Sequence, residues 1–523
     1  MTPEQLSLVA LAAPLAMALV AVVALFQRGP RPRLVERLSV GAAAFSILVA
    51  AVVAVLTFMH GTLNSPTVAW NGIGASIRLD ALSATIFGMI ALLAFNIVRF
   101  SRTYMDGDAR QGVFLGRLAA TIACVQVLVI SGNLGLMVAA WIALSLALHD
   151  LLVFYRERRG AVVAARKKFI VARIGDACLI GAAALMHNQF GTGDLQTIFT
   201  ALSALPEGGV PGSVEGAAVL VAVAALLKSA QFPTHSWLVE VMETPTPVSA
   251  LLHAGILNAG PFLAVRMSYL LEQATFAPVL LIVLGGFTAL FASKALMTQH
   301  SIKVGLGYSS AAHMGFMLMI CGLGVYSAAI LHLVAHSFYK AHAFLSSGSV
   351  IDSARAASVT LPKRLGHPLR VLASVILAVG IFVGFAQLLH LEEGTLPLGI
   401  ILIMGLAQII APALDSDGEF AGVARASLLG VAVAGAFFVL EISFAALLGP
   451  VLPEVTQPAL LVQIAMWSAV GAFGIATLVQ IMRPGQGQRE WQRRLALHLR
   501  NGLYANAAFD RLVGALRTAP QQR

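Results

Sequence analysis

The stretch Ala217-Ala-Val-Leu-Val-Ala-Val-Ala-Ala-Leu-Leu-Lys228-Ser-Ala-Gln-Phe-Pro233 sets a lysine after an apolar run and a proline shortly beyond it. A proline has no backbone N–H donor, so it breaks or kinks a helix at Pro233. A broken helix inside a membrane is a usual place for an ion site. The stretch therefore predicts a membrane helix that is interrupted beside a functional lysine. The alternative is a lysine at a helix end that extends toward the membrane surface.

The composition around this stretch excludes a soluble enzyme. Of 523 residues, 58% are hydrophobic and 11% are charged, whereas soluble domains are about 25% charged. Since a membrane helix needs about 20 apolar residues, the chain has room for about 15 spans. We expect an all-α polytopic membrane protein with spans at residues 5–26, 40–58, 79–98, 113–131, 133–154, 169–187, 216–233, 247–270, 277–296, 304–323, 325–350, 371–390, 396–413, 421–448 and 456–482.

The distribution of the basic residues predicts the orientation of these spans. Thirty of the 34 lysines and arginines lie in segments that fifteen spans would place on one side, and the other four are Arg78, Lys228, Arg266 and Lys340. The positive-inside rule then puts the N-terminus outside and the C-terminus in the cytoplasm of a bacterial inner membrane. The net charge of +10 is thus explained by topology and by contact with membrane lipid, and we expect no nucleic-acid partner. Residues 489–517 predict a cytoplasmic amphipathic helix that lies on the membrane or on a partner.

Histidines and a lysine recur on one predicted helix face. His332, His336 and Lys340 are spaced by four residues, so they share that face, and His253 lies in another span. Histidine changes its charge near neutral pH, so such a stripe can relay protons inside a helix bundle. Two alternatives are a metal site at the histidine pair and polar contacts between helices. The helix has no nearby carboxylate or cysteine, so we expect no metal there.

Further helix breaks are expected near two acidic residues. Glu240 and Glu243 lie in the short segment between two spans, next to Pro245 and Pro247, and downstream of Pro233. The prolines predict interrupted helices. The two carboxylates are either part of an ion pathway near its cytoplasmic end or ordinary solvated surface groups.

Other carboxylates fall within the predicted spans. Asp176 follows Arg173 by three residues and can pair with it, Asp150 follows His149 in the fifth span, and Glu441 lies in the fourteenth span. A charge inside a bilayer costs about 2.5–3.5 kcal/mol or more, so each is a candidate functional residue.

Several kinds of catalytic site are missing from the sequence. Cys124, Cys178 and Cys321 are far apart and have no zinc-site spacing. There is no phosphate-binding Walker motif and no haem or iron–sulfur pattern. We therefore predict no catalytic residues and no cofactor in this chain, so an ion gradient or a partner must supply energy.

The motifs Lys228-Ser-Ala-Gln-Phe-Pro-Thr-His-Ser-Trp-Leu and Thr244-Pro-Thr-Pro-Val-Ser-Ala-Leu-Leu-His-Ala resemble the antiporter-like membrane subunits of respiratory complex I and of multisubunit sodium/proton antiporters. Ile302-Lys303-Val-Gly-Leu-Gly-Tyr-Ser-Ser and His332-Leu-Val-Ala-His-Ser-Phe-Tyr-Lys-Ala are similar to the same family, and so is the tail Asn501-Gly-Leu-Tyr. The resemblance implies N-terminal helices over 1–112, a proton-conducting core over 113–352, C-terminal helices over 353–482 and a tail over 483–523.

The same resemblance implies a proton or ion pathway. It would run through Lys228, His253, His332, His336 and Lys340, with Lys303, Glu240 and Glu243 among its candidate members. In the family the lysine of the broken helix pairs with a glutamate on a neighbouring helix. This chain has Ile142 at the matching position, and Asp150, His149 and Glu441 are candidate replacements. The family's downstream lysine is not found after about residue 360.

The version Glu240-Val-Met-Glu-Thr-Pro-Thr-Pro-Val-Ser-Ala-Leu-Leu-His-Ala-Gly most resembles the DabB branch of that family. The branch implies a hetero-oligomer with a DabA-like partner whose zinc site is similar to that of β-carbonic anhydrases. Cation flux through the present chain would drive hydration of carbon dioxide to bicarbonate in that partner. The alternatives are a proton-pumping subunit of a redox enzyme or antiporter, and a membrane anchor without ion transport.

Overall fold

The computed structural model describes residues 3–206, 209–348, 368–389, 396–414, 420–454, 457–482 and 490–513. Most of this part of the chain is helical, which confirms the predicted fold class. The helices are α1 (Pro3–Leu6), α2 (Ala12–Val23), α3 (Arg33–His60), α4 (Ala81–Tyr104), α5 (Gln111–Val129), α6 (Leu134–Leu152), α7 (Arg159–Phe190), α8 (Leu195–Ser203), α9 (Gly212–Lys228), α10 (Ser236–Glu240), α11 (Thr246–Leu251), α12 (Ala259–Arg266), α13 (Ser268–Glu272), α14 (Phe276–Leu296), α15 (Ile302–Gly322), α16 (Tyr326–Leu345), α17 (Pro368–Leu388), α18 (Leu396–Leu414), α19 (Phe420–Leu448), α20 (Leu460–Met482), α21 (Glu490–Arg500) and α22 (Ala505–Val513).

Two small antiparallel sheets lie between α3 and α4. Strand β1 (Leu63–Asn64) pairs with β4 (Arg78–Leu79), and β2 (Val68–Trp70) pairs with β3 (Ile73–Ala75). Their register sets Leu63 opposite Leu79. The inner hairpin of β2 and β3 contacts the start of α6, where the Gly74 N–H donates to Asn133 Oδ1 at 3.0 Å.

Each of the fifteen predicted apolar runs contains a helix. Within the ranges that the structure covers, twelve segments are long and apolar enough to cross a membrane. The other three runs correspond to α9, which has 17 residues, to α16 and to α18. Helix α16 carries the histidines and the lysine of the predicted stripe, which lower its apolar character. The protein is a polytopic membrane protein, and the exact number of spans and the side on which each terminus lies stay predictions.

The chain is interrupted directly after Lys228, where α9 ends. Ala230 takes a left-handed backbone conformation with φ 51°, and Pro233 precedes the next helix, α10. This is the break that Pro233 predicts. Since the backbone turns here, Lys228 lies at a helix end inside the bundle.

Pro245 and Pro247 have a different role from the helix break that was expected of them. Pro245 precedes α11 and Pro247 lies in its first turn, where a proline is tolerated because the first amides have no partner in the helix. The irregularity of this span lies further on, in the π-helical turn Leu252–Ile256 that contains His253.

Close backbone contact fixes α15 against α14. A Cβ atom added at Gly285 would lie 2.6 Å from the carbonyl oxygen of Gly315, and one added at Gly315 would lie 2.5 Å from that of Gly285. Small residues allow this approach between membrane helices. The two glycines thus allow the backbones of α14 and α15 to pack in direct contact.

A buried ionic cluster ties the strands to α12. Asp80 caps the N-terminus of α4 by accepting from the Ser83 N–H at 2.8 Å. It also accepts from Arg78 Nε at 2.7 Å and from Arg266 Nη1 at 2.6 Å. Burial raises the pKa of Asp80, but Arg266 and Arg78 more than offset this and hold the pKa below its usual range. Arg78 and Arg266, two of the four basic residues outside the predicted cytoplasmic segments, therefore serve as counter-charges to Asp80.

We expect Asp80→Asn to destabilise the protein by about 3–5 kcal/mol, because it leaves two buried guanidinium groups without a counter-charge. Thermal unfolding in mild detergent measures this. Asp194→Asn is the matched control, since Asp194 caps α8 in the same way without buried arginines, and asparagine remains a good cap. Equal stability of the two variants would show that the ionic cluster contributes nothing beyond the cap.

The C-terminal segment forms two helices, and the single amphipathic helix predicted over 489–517 is wrong in this respect. Helices α21 and α22 are separated by the turn Gly502–Tyr504, in which Leu503 has φ 52°. Leu499 and Phe509 pack against the main core of the chain. The described part of the tail therefore contacts its own chain, while its relation to the membrane and to a partner stays a prediction.

A buried lysine anchors this tail. Lys167 of α7 donates to both carboxylate oxygens of Glu240, at 2.7 and 2.9 Å. The same ammonium group donates to Asn506 Oδ1 at 2.6 Å and forms an ion pair with Asp510. The tail is thus attached to the segment that follows the helix break.

Asp510→Asn should loosen α22, because it removes the ion pair between this helix and Lys167. A hydrogen bond to a charged group contributes about 1.5 kcal/mol, so we expect about tenfold faster amide exchange over 505–513. Hydrogen exchange with mass spectrometry gives this rate. Glu490→Gln serves as the control, because Glu490 pairs with Arg494 on the exposed face of α21. Unchanged exchange in Asp510→Asn would mean that apolar contacts alone hold the tail.

Candidate functional site

Lys228 turns into the protein instead of toward a membrane surface. Its ammonium group donates to the carbonyl oxygen of Trp141 at 3.3 Å. The same nitrogen lies 4.2 Å from the centre of the Trp141 ring, which is the geometry of a cation–π contact. Trp141 is fully buried in α6. The side chain of Lys228 is therefore held between α9 and α6.

A small cavity of about 20 Å³ adjoins Lys228. Trp141, Lys168 of α7 and Trp237 of α10 contribute to its walls, together with Leu252 and Ile256 of the π-helical turn. A volume of this size holds about one water molecule. The cavity therefore brings two amines together in a space with little room for solvent.

Lys168 is a functional candidate that the sequence analysis missed. It is buried, and its ammonium group donates to the carbonyl oxygen of Ser145 at 2.6 Å and to Ser145 Oγ at 3.0 Å. In the sequence it belongs to a basic segment assigned to the cytoplasm. However, α7 begins at Arg159, so Lys168 lies about 13 Å along this helix. The length of the helix, rather than a motif, was the available signal.

Asp176 is the carboxylate whose charge acts on Lys228. It lies on α7 and also interacts electrostatically with Lys168 and with Arg173, to which it is joined by an ion pair. The cluster of Lys168, Arg173, Asp176 and Lys228 thus contains three basic groups and one acidic group.

The structure does not bring the candidate replacements for the missing glutamate to Lys228. Ile142 is a partly buried apolar residue at the expected position. The Asp150 side chain is exposed, and the Asp150 carbonyl accepts from Arg117. His149 packs against Phe169, with ring centres 5.1 Å apart.

Glu441 of α19 lies at a different place in the bundle. It accepts a hydrogen bond from Ser327 Oγ of α16 at 2.7 Å. Glu441 is thereby joined to the helix that carries the histidine stripe.

The structure places His332, His336 and Lys340 on one face of α16. His332 Nε2 lies 2.9 Å from Nδ1 of His313, which belongs to α15. The rings of His313 and His336 are also close, with centres 4.9 Å apart. Lys340 is buried and donates to the carbonyl oxygen of Leu306 at 3.2 Å. His313 was missed because no spacing in the sequence links α15 with α16.

His253 joins the two groups of candidate residues. Its ring stacks on Phe344 of α16 with centres 4.3 Å apart, and its charge couples to that of Lys340. The neighbouring Leu252 lines the cavity of Lys228. The π-helical turn therefore lies between the lysine cavity and the histidine stripe.

The remaining candidates surround the break. Glu240 binds Lys167, and the Glu243 carboxylate accepts from the Ala161 N–H at 3.2 Å in the first turn of α7, a favourable position for a negative charge. Lys303 donates to Thr246 Oγ1 at 3.2 Å. Glu240 and Glu243 thus tie the segment after the break to α7, and Lys303 ties α15 to α11.

Among the residues with described positions, no group of three or more histidine, cysteine, aspartate or glutamate side chains has an arrangement suited to a metal ion. The three cysteines are unpaired by disulfides. The metal alternative for the histidine pair thus gains no support here.

Two family descriptions match this chain. Residues 131–387 match the transmembrane family "NADH:quinone oxidoreductase/Mrp antiporter", and residues 71–115 match "NADH-Ubiquinone oxidoreductase (complex I), chain 5 N-terminus". The first match contains the lysine cavity, the π-helical turn and the histidine stripe.

Similar structures share the fold. A Mrp complex from Dietzia sp. has a TM-score of 0.57 and 21% identity, over 99% of this chain and 57% of that chain. The membrane-bound sulfane sulfur reductase, an archaeal respiratory complex, has a TM-score of 0.58 and 17% identity, over 98% and 99% of the two chains.

Proteins of related sequence place the chain in a narrower family. The chain is 36% identical to the probable inorganic carbon transporter subunit DabB2 of Halothiobacillus neapolitanus over 488 residues, which are 90% of this chain and 86% of the relative. It is 42% identical to the probable subunit DabB of Hydrogenovibrio crunogenus over 287 residues, 54% of each chain. The chain therefore belongs to the DabB family, a branch of the antiporter-like membrane subunits.

Proposed function

We propose that this chain conducts cations, most simply protons, through the membrane as the energy-coupling subunit of an inorganic-carbon uptake complex. The observation that carries the proposal is the buried ammonium group of Lys228, which lies at a helix break, interacts electrostatically with Asp176 and adjoins a cavity with room for about one water molecule. A buried ammonium group has one counter-charge here and a second amine nearby. The protonation state of these groups therefore depends on the distances between them.

The charges of the cluster of Lys168, Arg173, Asp176 and Lys228 support proton transfer. Lys168, Arg173 and Lys228 all interact electrostatically with the single carboxylate of Asp176. A buried charge without a counter-charge is costly. An additional proton in this cluster is therefore held weakly enough to move. Asp176 acts here as the counter-charge that the family's glutamate supplies elsewhere, since Ile142 has no charge to offer.

The route continues toward the histidines. The proposed order is Lys228, the π-helical turn with His253, Lys340, and then His336 and His332. Contacts between the turn and both groups support this order, because Leu252 lines the lysine cavity while His253 stacks on α16. Glu240 and Glu243 lie at the end of the bundle where we place the cytoplasm, with the N-terminus on the opposite side of a bacterial inner membrane.

The partner is inferred from the family. Relatives of this chain are named as inorganic carbon transporter subunits, so we place it in a hetero-oligomer with a DabA-like zinc protein. In that assembly the partner would hydrate carbon dioxide, and cation flux through this chain would make the hydration one-way. The present chain would then carry neither catalytic residues nor the zinc ion.

A second candidate function is a proton-pumping subunit of a redox complex or an antiporter, because such complexes share the fold. Ile142 argues against it, since that position lacks the carboxylate of the complete family pathway. A mild-detergent pull-down with mass spectrometry and a zinc assay separates the two. Recovery of one large zinc protein supports carbon uptake, whereas recovery of redox or antiporter subunits would replace it with the second function.

We expect Lys228→Ala and Asp176→Asn to abolish carbon-dependent growth in air of a strain that relies on this complex, because each removes one of two opposite charges that interact beside the cavity. Both variants should still assemble with the partner. Lys294→Ala is the control, since Lys294 of α14 binds Gln480 outside the cavity and its loss should leave growth unchanged.

Asp150→Asn tests the competing carboxylate in the same assay. If it stops growth while Asp176→Asn does not, Asp150 is the counter-charge and the present assignment is wrong. If the strain with Lys228→Ala grows normally while the complex still assembles, the proposed ion conduction is wrong. The chain would then be a membrane anchor without ion transport.

A further inference from the structure

We propose that a polar cavity beside the small strands binds a small oxyanion, such as bicarbonate or phosphate. The inference goes beyond the proposed function, because it concerns a different part of the bundle and does not require ion conduction. The cavity has a volume of about 280 Å³, so a small anion fits in it together with water. In the predicted orientation of the chain it lies on the outer side of the membrane.

Four separate segments of the chain form this cavity. Asn64 and Arg78 come from the paired strands β1 and β4. Gln196 comes from α8 and Tyr269 from α13, and the turn after α19 borders the cavity at Pro450. Gln196 and Pro450 are exposed, so a ligand reaches the cavity from solvent.

The guanidinium group of Arg78 is the cationic part of the site. Its side chain is only 5% exposed, and it lies 5.5 Å from the centre of the Phe199 ring. Arg78 Nε donates to Asp80 at 2.7 Å, and Arg78 Nη1 donates to Gln196 Oε1 at 2.5 Å. These bonds use two of its five N–H donors. The other donors suit an oxyanion, because a guanidinium group binds two oxygen atoms of a carboxylate or phosphate at once.

The ion pairs around Arg78 contain two positive charges and one negative charge. Arg78 and Arg266 both pair with the single carboxylate of Asp80. No residue among those that line the cavity is acidic. A buried charge without a counter-charge is costly. A monovalent oxyanion in the cavity balances the cluster, whereas a cation there is repelled by it.

Neutral polar side chains add directional contacts to this charge. Because Gln196 Oε1 accepts from Arg78, the Nε2 group of Gln196 is left as a donor. Thr62 and Asn64 also line the cavity and supply a hydroxyl group and a second amide. An anion with several oxygen atoms accepts from more than one of these donors, which a single chloride ion does less well. We therefore expect oxyanions to bind more tightly than chloride.

The test measures thermal unfolding of the full chain in mild detergent while bicarbonate or phosphate is titrated at constant ionic strength. A ligand that binds only the folded state raises the unfolding temperature. Gln196→Glu keeps an oxygen atom that accepts from Arg78 but adds a negative charge to the cavity. We expect the half-saturating concentration of the oxyanion to rise at least about tenfold in this variant, because like charges a few ångström apart repel each other.

Gln189→Glu is the matched control. Gln189 lies near the end of α7, where its Oε1 atom accepts from Ser213 at 2.5 Å, and it does not line the cavity. The control makes the same change of charge on the same predicted side, so its titration should equal that of the native chain. Phosphate also stabilises proteins through exclusion from their surface, and this effect is common to all variants. Equal titrations of Gln196→Glu and the native chain, or equal shifts with chloride and with oxyanions, would overturn the proposal.

Asn64→Asp adds a charge to the same cavity and serves if Gln196→Glu does not fold. Repeating the native titration in phosphatidylglycerol nanodiscs distinguishes two sources of the oxyanion. A shift that persists in nanodiscs identifies a free anion as the ligand, whereas a shift found only in detergent means that a lipid headgroup occupies the cavity. Both results support the oxyanion site. No shift of the native chain in detergent rejects it.

Discussion

The arrangement of the helices around the break after Lys228 depends on how a cation is held inside the membrane. The ammonium group of Lys228 contacts the carbonyl and the ring face of Trp141 and interacts electrostatically with Asp176. These three partners come from α6 and α7, so both helices must lie against the end of α9. The break after Lys228 makes this possible, because a continuous helix would carry the chain away from the cavity that α10 closes with Trp237.

The sequence contained the parts of this site that are local in the chain. Lys228 and Pro233 are five residues apart, and the stripe on α16 follows from a spacing of four, so helix geometry alone predicts them. Lys168 and His313 could not be found in this way, because their partners lie on other helices. Pro247 was misjudged although the predicted span 247–270 begins within one residue of α11, since a proline is tolerated in the first turn of a helix and disrupts it only further inside.

In the proposed function, the charge that the family's glutamate supplies elsewhere comes from a different helix. Ile142 packs as an apolar residue of α6, whereas Asp176 lies on α7, eight residues after Lys168 and thus about 12 Å further along the same helix. One helix therefore carries both the second amine and the counter-charge. Since their spacing is fixed by that helix, a change in the environment of Lys228 requires movement of α7 relative to α6 or α9, or transfer of a proton.

Helix α7 also connects the cavity to the C-terminal tail. Lys167 and Lys168 are neighbours, and successive residues of a helix point about 100° apart. Lys167 is thereby directed to Glu240, Asn506 and Asp510, while Lys168 faces the cavity of Lys228. Because both lysines are buried and both are bonded, a rotation of α7 that served one would disrupt the other. The docked tail and the charge cluster consequently favour the same position of α7, which makes the tail part of the structural support of the candidate pathway.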